Sequence, residues 1–128
     1  MQDLKVSAIQ ASLVWENVDA NLQAFSERIS DIQSSPDLIV LPEMFSTGFS
    51  MNSAALAEKM DGKSISWMAE QASTTSTVIT GSLIIEEDGE YYNRLIWMRP
   101  DGTFAHYDKR HLFRMMEEDQ SFSAGQDK

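Results

Sequence analysis

Two charged side chains stand where chemistry is possible. Glu43 follows the apolar run Leu38-Ile39-Val40-Leu41-Pro42 directly. A carboxylate at the carboxyl end of a buried strand sits at the edge where open α/β sheets bind ligands. There it can take a proton from a nucleophile. Its plainer role is a solvated carboxylate or the anion at a helix start. Lys109 follows Phe104-Ala105-His106-Tyr107-Asp108. An ammonium held beside a reacting carbonyl stabilises an oxyanion, although most lysines face solvent. His111 is a general base on paper and an ordinary loop or core histidine by habit. Glu117 and Glu118 form an adjacent acidic pair, a pattern usual on solvated surface. Phe122 and Gly125 beyond them mark a loop that packs down and turns.

The composition removes several chemistries. The sequence has 128 residues and no cysteine. Disulfides, thiolate metal sites and thiol catalysis from its own residues are therefore excluded. His106 and His111 are the only histidines and have no evident ligand partner, so no metal is expected. The net charge of -10 argues against phosphate backbones and anionic lipid as partners. No run approaches the roughly 18 apolar residues of a membrane span, and the start MQDLKVSAIQ lacks the pattern of a secretory signal. A cytoplasmic location is expected.

The elements that must position Glu43 and Lys109 follow from periodicity. Residues 4–13 alternate without charge on either face beyond Lys5, which predicts a largely buried strand. Asn17 is a candidate helix cap. Val18, Leu22, Phe25, Ile29 and Ile32 then recur at spacings of four and three, the stripe of an amphipathic helix. Ser34-Ser35-Pro36 stops it, and residues 37–41 read as a central strand. A short helix is expected over 53–59. Another, capped by Ser64, is expected to run to about residue 73. Residues 77–85 form the next strand, where Gly81 suggests a bulge or a close approach. The Asp88-Gly89 turn leads back along 91–98, and Pro100-Asp101-Gly102 turns into a last strand over 103–107. This order predicts an α/β fold with a mixed sheet and helices on one face. A sheet begun in this way leaves edges and apolar surface uncovered.

Two other readings compete at this level. Two separated carboxylates are the minimum for a glycosidase, with nothing beyond the count in support. The scattered methionines would suit a soft binding surface, although core filling explains them as well.

The motifs narrow the choice. Leu38-Ile39-Val40-Leu41-Pro42-Glu43-Met44-Phe45 with Thr47-Gly48-Phe49 resembles the first catalytic motif of the nitrilase superfamily, the carbon–nitrogen hydrolases. The opening KVSAIQ resembles that family's first strand, and Tyr107-Asp108-Lys109-Arg110-His111-Leu112-Phe113 resembles its lysine motif. The resemblance covers essentially the whole chain and is greatest to the omega-amidase branch, which hydrolyses the side-chain amide of 2-oxo acids such as 2-oxoglutaramate.

Several expectations follow from that resemblance. The family uses a Glu-Lys-Cys triad, so Glu43 becomes the general base and Lys109 the group facing the tetrahedral intermediate. Glu118 is the helper carboxylate, with Glu117 as the alternative. Neither Ser121 nor Ser123 matches the nucleophile position. No cofactor is implied, and the substrate is a small-molecule amide. The family fold is a four-layer α-β-β-α sandwich of roughly twice this length, usually dimeric. Residues 1–128 are thus expected to be the N-terminal part of one such domain, truncated before the cysteine and inactive alone. Exposed sheet surface should promote homodimer formation or other self-association. The alternatives are an inactive fragment with an assembly role, or another amidase or nitrilase of the family.

Overall fold

A computed structural model describes residues 3–110 and 122–125. His111, Glu117 and Glu118 lie outside the described residues.

The hairpin of β3 (Val78–Glu87) and β4 (Glu90–Met98) forms the centre of the sheet. It closes at Asp88-Gly89, where both φ angles are positive (53° and 81°). That is the twist-matched turn an Asp-Gly pair favours. β5 (Phe104–Asp108) adds antiparallel to β4. On the other side β2 (Leu38–Val40) and β1 (Val6–Ala8) add in parallel. The five strands lie in the order β1-β2-β3-β4-β5, the mixed sheet that the element order predicts.

α1 (Val18–Ser30) starts where expected: the Asn17 side chain accepts a hydrogen bond from the Ala20 N–H. Its stripe buries Leu22, Phe25 and Ile29. α2 (Ser53–Leu56) is one turn long. α3 (Lys63–Thr75) differs from expectation at its start, because Gly62, not Ser64, is the N-cap residue. Ser64 sits inside the first turn, where its N–H and Oγ both donate to the Glu58 carboxylate at 2.8 and 2.5 Å. A carboxylate from outside the helix supplies the capping acceptor, and the negative charge suits the positive end of the helix.

Residues directly opposite each other in a sheet share a face. Ile39, Ile79, Leu83, Ile85, Ile96 and Met98 face α1 and α3, and close the core with Phe25, Ile65, Met68 and Ala72. The other face carries Val40, Thr80, Ser82, Asn93, Leu95, Trp97 and Tyr107. Leu95, Trp97 and Tyr107 remain 39–43% exposed there, so that end of the face is an uncovered apolar patch, whereas Ile84 on the same face is buried against Met44 and Phe122. β1 is the second departure from expectation. It is a three-residue edge strand, and Val6 is 50% exposed. Its uncharged pattern suits burial on both faces, but helices cover only one.

Candidate active site

The sheet delivers Glu43 through a tightly held turn. After β2, the Leu41 N–H still pairs with the Thr80 carbonyl at 2.8 Å. The chain then leaves the ladder at Pro42. Met44 takes a left-handed φ of 48°, which costs a non-glycine residue about 1–2 kcal/mol. Its N–H donates to Ser82 Oγ at 2.9 Å and its side chain is fully buried. The next residue, Phe45, drives its ring into the main core, edge-on to Phe25 at 5.9 Å and 5.6 Å from Trp67. Gly81 makes room: a Cβ there would stand 2.8 Å from the Phe45 ring and 3.0 Å from Leu41 Cβ. The close approach suggested by a glycine within a strand is therefore that of the Glu43 turn.

Buried Asn21 of α1 ties the turn from the far side. Its side-chain amide bonds both polar groups of the Val14 backbone and the Ser46 carbonyl. Ser50 Oγ donates to Glu16 at 2.6 Å. Glu43 thus projects from a segment fixed on both flanks.

Lys109 is placed by the end of β5. Its N–H donates to the Asn93 carbonyl at 2.9 Å, and its own carbonyl accepts from the Gly125 N–H at 2.9 Å. A Cβ on Gly125 would fall on the Asp108 carbonyl oxygen, so only glycine lets that segment lie so close to the strand end. On the helix-facing side, buried Arg94 grips Asp108 through Nε and Nη2 at 2.7 and 2.9 Å, and Glu87 at 3.1 and 3.3 Å. These bonds raise the Arg94 pKa, Asp108 contributing most, and hold the Glu87 carboxyl below its ordinary value.

The two sequence-derived residues meet. Lys109 Nζ donates to Glu43 Oε2 at 3.2 Å and lies 5.1 Å above the Phe49 ring. A third group, which the sequence reading missed, joins them: Asn93 Nδ2 donates to the same Oε2 at 2.6 Å. Its signal was present as an asparagine inside the strand Tyr91-Tyr92-Asn93-Arg94-Leu95, where that residue type is depleted. The three line a cavity of about 460 Å³ on the uncovered sheet face, with Ser82, Tyr107 and Arg110. Arg110, also missed, adds a second cation to the wall. A carboxylate in contact with an ammonium at a cavity wall offers a proton acceptor and an oxyanion partner together. Among the described residues, no group of three or more His, Cys, Asp or Glu could hold a metal ion. No helix among them is long and apolar enough to cross a membrane.

Comparisons with known proteins point to one family. The carbon-nitrogen hydrolase family profile matches residues 5–126. An omega-amidase of Yersinia enterocolitica is 42% identical over 100% of the chain and 49% of its own length. A 2-oxoglutaramate amidase of Bacillus subtilis is 28% identical over 94% of the chain and 48% of its own length. A solved CN-hydrolase superfamily protein of Xanthomonas campestris, with an arsenic adduct in its active site, superposes with a TM-score of 0.94. It shares 37% identity over 99% of this chain and 48% of its own. The chain spans about half the length of the relatives it matches.

Proposed function

We propose, for a chain that belongs to the carbon-nitrogen hydrolase family, that Glu43 and Lys109 form part of an omega-amidase centre. That centre hydrolyses the side-chain amide of a 2-oxo acid amide and releases ammonia, in the cytoplasm. The observation that carries the reading is the Glu43–Lys109 contact at the wall of the cavity.

The mechanism is covalent and needs a cysteine that these 128 residues do not contain. Residues 1–128 are then the N-terminal part of the hydrolase domain. Glu43 accepts the thiol proton, and the thiolate attacks the amide carbon. Lys109 Nζ faces the oxyanion that forms. On collapse the C–N bond breaks, ammonia leaves with the proton from Glu43, and a thioester remains. Water then gives a proton to Glu43 and attacks the thioester carbon; the C–S bond breaks, Glu43 returns that proton to the sulfur, and the acid leaves. Glu118, or Glu117, assists as the second carboxylate. Arg110 supplies a cation for the carboxylate at the far end of a 2-oxo acid.

The test is a chimera in which this chain replaces the matching half of the Yersinia enterocolitica omega-amidase. It should release ammonia from 2-oxoglutaramate, in preference to nitriles and N-carbamoyl amino acids, and the 128-residue chain alone should release none. A folded chimera inactive on all three classes refutes the amidase reading. Hydrolysis by the chain alone refutes the need for an external cysteine.

The uncovered sheet face favours a second reading for the isolated chain: an inactive fragment that associates with another copy through Leu95, Trp97 and Tyr107.

A further inference from the structure

Glu43 and Lys109 belong to segments that do not touch through their strands. One follows β2 and the other follows β5, with β3 and β4 between. Asn93 of β4 reaches both. Its side-chain Nδ2 donates to Glu43 Oε2 at 2.6 Å. Its main-chain carbonyl accepts from the Lys109 N–H at 2.9 Å. Asn93 is only 2% exposed. An ionised carboxylate only accepts hydrogen bonds, so the NH2 end of the amide must be the end that faces it.

We propose that Asn93 is a positioning residue of this site, fixing Glu43 by its side chain and Lys109 by its main chain. The inference rests on the amidase reading above and adds a residue to it. A lone ammonium would draw the flexible Glu43 side chain toward itself along any of several rotamers. A second donor, fixed on a central strand, selects one. Among the described residues both contacts fall on Oε2, which leaves Oε1 to take the proton from the nucleophile. Placing a reacting group within hydrogen-bond reach is worth orders of magnitude in rate, and a strand holds it better than a loop does.

Two readouts test this. In the 128-residue chain, a carboxylate-bound amide should show one Asn93 side-chain proton displaced downfield in NMR spectra. Glu43→Gln should abolish that displacement. An Asn93 amide pair that ignores Glu43→Gln overturns the contact.

In the chimera, Asn93→Asp keeps the size but removes the donor and sets a negative charge against Glu43. It should lower kcat roughly 10- to 100-fold with KM within about 3-fold, a loss on the scale of acid–base catalysis. The acid limb of kcat/KM should also move to higher pH, because a like charge opposes ionisation. A purely structural asparagine would instead reduce the folded fraction and leave kcat per folded enzyme unchanged, and that result overturns the proposal. If Glu43→Gln retains activity in the chimera, the role given to Glu43 in the amidase reading fails. The NMR readout then still decides the Asn93 contact by itself.

Discussion

Lys109 Nζ meets Glu43 Oε2 at 3.2 Å across 66 residues of sequence. The chain brings them together by stacking four strands in register, not by any local motif. If the pair performs acid–base and oxyanion chemistry, each half should fail separately. In the chimera, Glu43→Gln is expected to lower kcat about 10²–10⁴-fold. Lys109→Met should lower it about 10²–10³-fold. The double variant should lose far less than the product, since the two act on one intermediate. Steady-state ammonia release measures all three; multiplicative losses would show that the groups act independently.

Gly81 controls how deeply the Glu43 turn sits. The Cβ of Gly81→Ala would press on the Phe45 ring and Leu41 Cβ. Phe45 is fully buried between Phe25 and Trp67 and has little room to retreat. Overpacking of this kind costs about 1–3 kcal/mol. Because Phe45 lies two residues from Glu43, kcat should fall beyond what the stability loss explains. Urea unfolding and kcat measured on the same preparation separate the two effects. An Ala variant with normal stability and normal kcat would mean that the turn adjusts freely.

The outer parts of this arrangement were legible in sequence because they obey periods or follow strands. The 4-3-4 stripe from Val18 to Ile29 placed α1, and Glu43 and Lys109 follow apolar or aromatic runs. What could not be read depends on lateral register. Asn93 stands out as an asparagine in a strand, but its direction follows only from the Ile84↔Asn93 pairing, which puts it on the face away from α1 and α3 and toward Glu43. The cap of α3 was misread for a similar reason. Ser64 has the right type, but the acceptor comes from Glu58, six residues earlier. β1 was expected to be buried because composition reports what a strand tolerates, not whether a second layer covers it.

Gly125 should matter for Lys109 in the way Gly81 matters for Glu43. Gly125→Ala would place a methyl group on the Asp108 carbonyl. The Gly125 N–H bond to the Lys109 carbonyl must then lengthen or break. The expected cost is again about 1–3 kcal/mol. Hydrogen exchange should show faster opening at the end of β5 while α1 stays protected. Unchanged exchange at Lys109 would remove Gly125 from the set of residues that fix it.

Arg94 carries the pH prediction. Its contact with Glu87 lowers the Glu87 pKa below the ordinary 4.5. A depressed carboxyl stabilises the fold above the unfolded value, and that contribution is lost as pH falls through the folded one. The difference in urea midpoint between wild type and Glu87→Gln should therefore hold down to about pH 5 and vanish in stronger acid. It should be small and salt-sensitive, since the Glu87 side chain is 51% exposed. Arg94→Leu should behave differently. It strands the buried Asp108 carboxylate and is expected to cost about 3–5 kcal/mol at neutral pH. A Glu87→Gln difference that grows in acid would contradict the assigned contact.

The uncovered sheet face yields the last prediction. Leu95 and Tyr107 pair directly across β4 and β5, and Trp97 lies two residues along the same face. Together they present a flat apolar surface that also borders the cavity. Water is a poor neighbour for such a face, so the 128-residue chain should self-associate in a concentration-dependent way. Trp97→Lys removes a large apolar side chain and adds a charge to a protein already at -10. Losing a buried side chain of that size costs about 1.5–3 kcal/mol, or roughly 10- to 100-fold in the dimer Kd. Charge repulsion does not confound the result, because the new lysine lowers the net negative charge and would by that route favour association. Sedimentation velocity over a concentration series reads the change. A wild-type chain that stays monomeric at the highest concentrations would show that another layer, not a second copy, is what this face is built to meet.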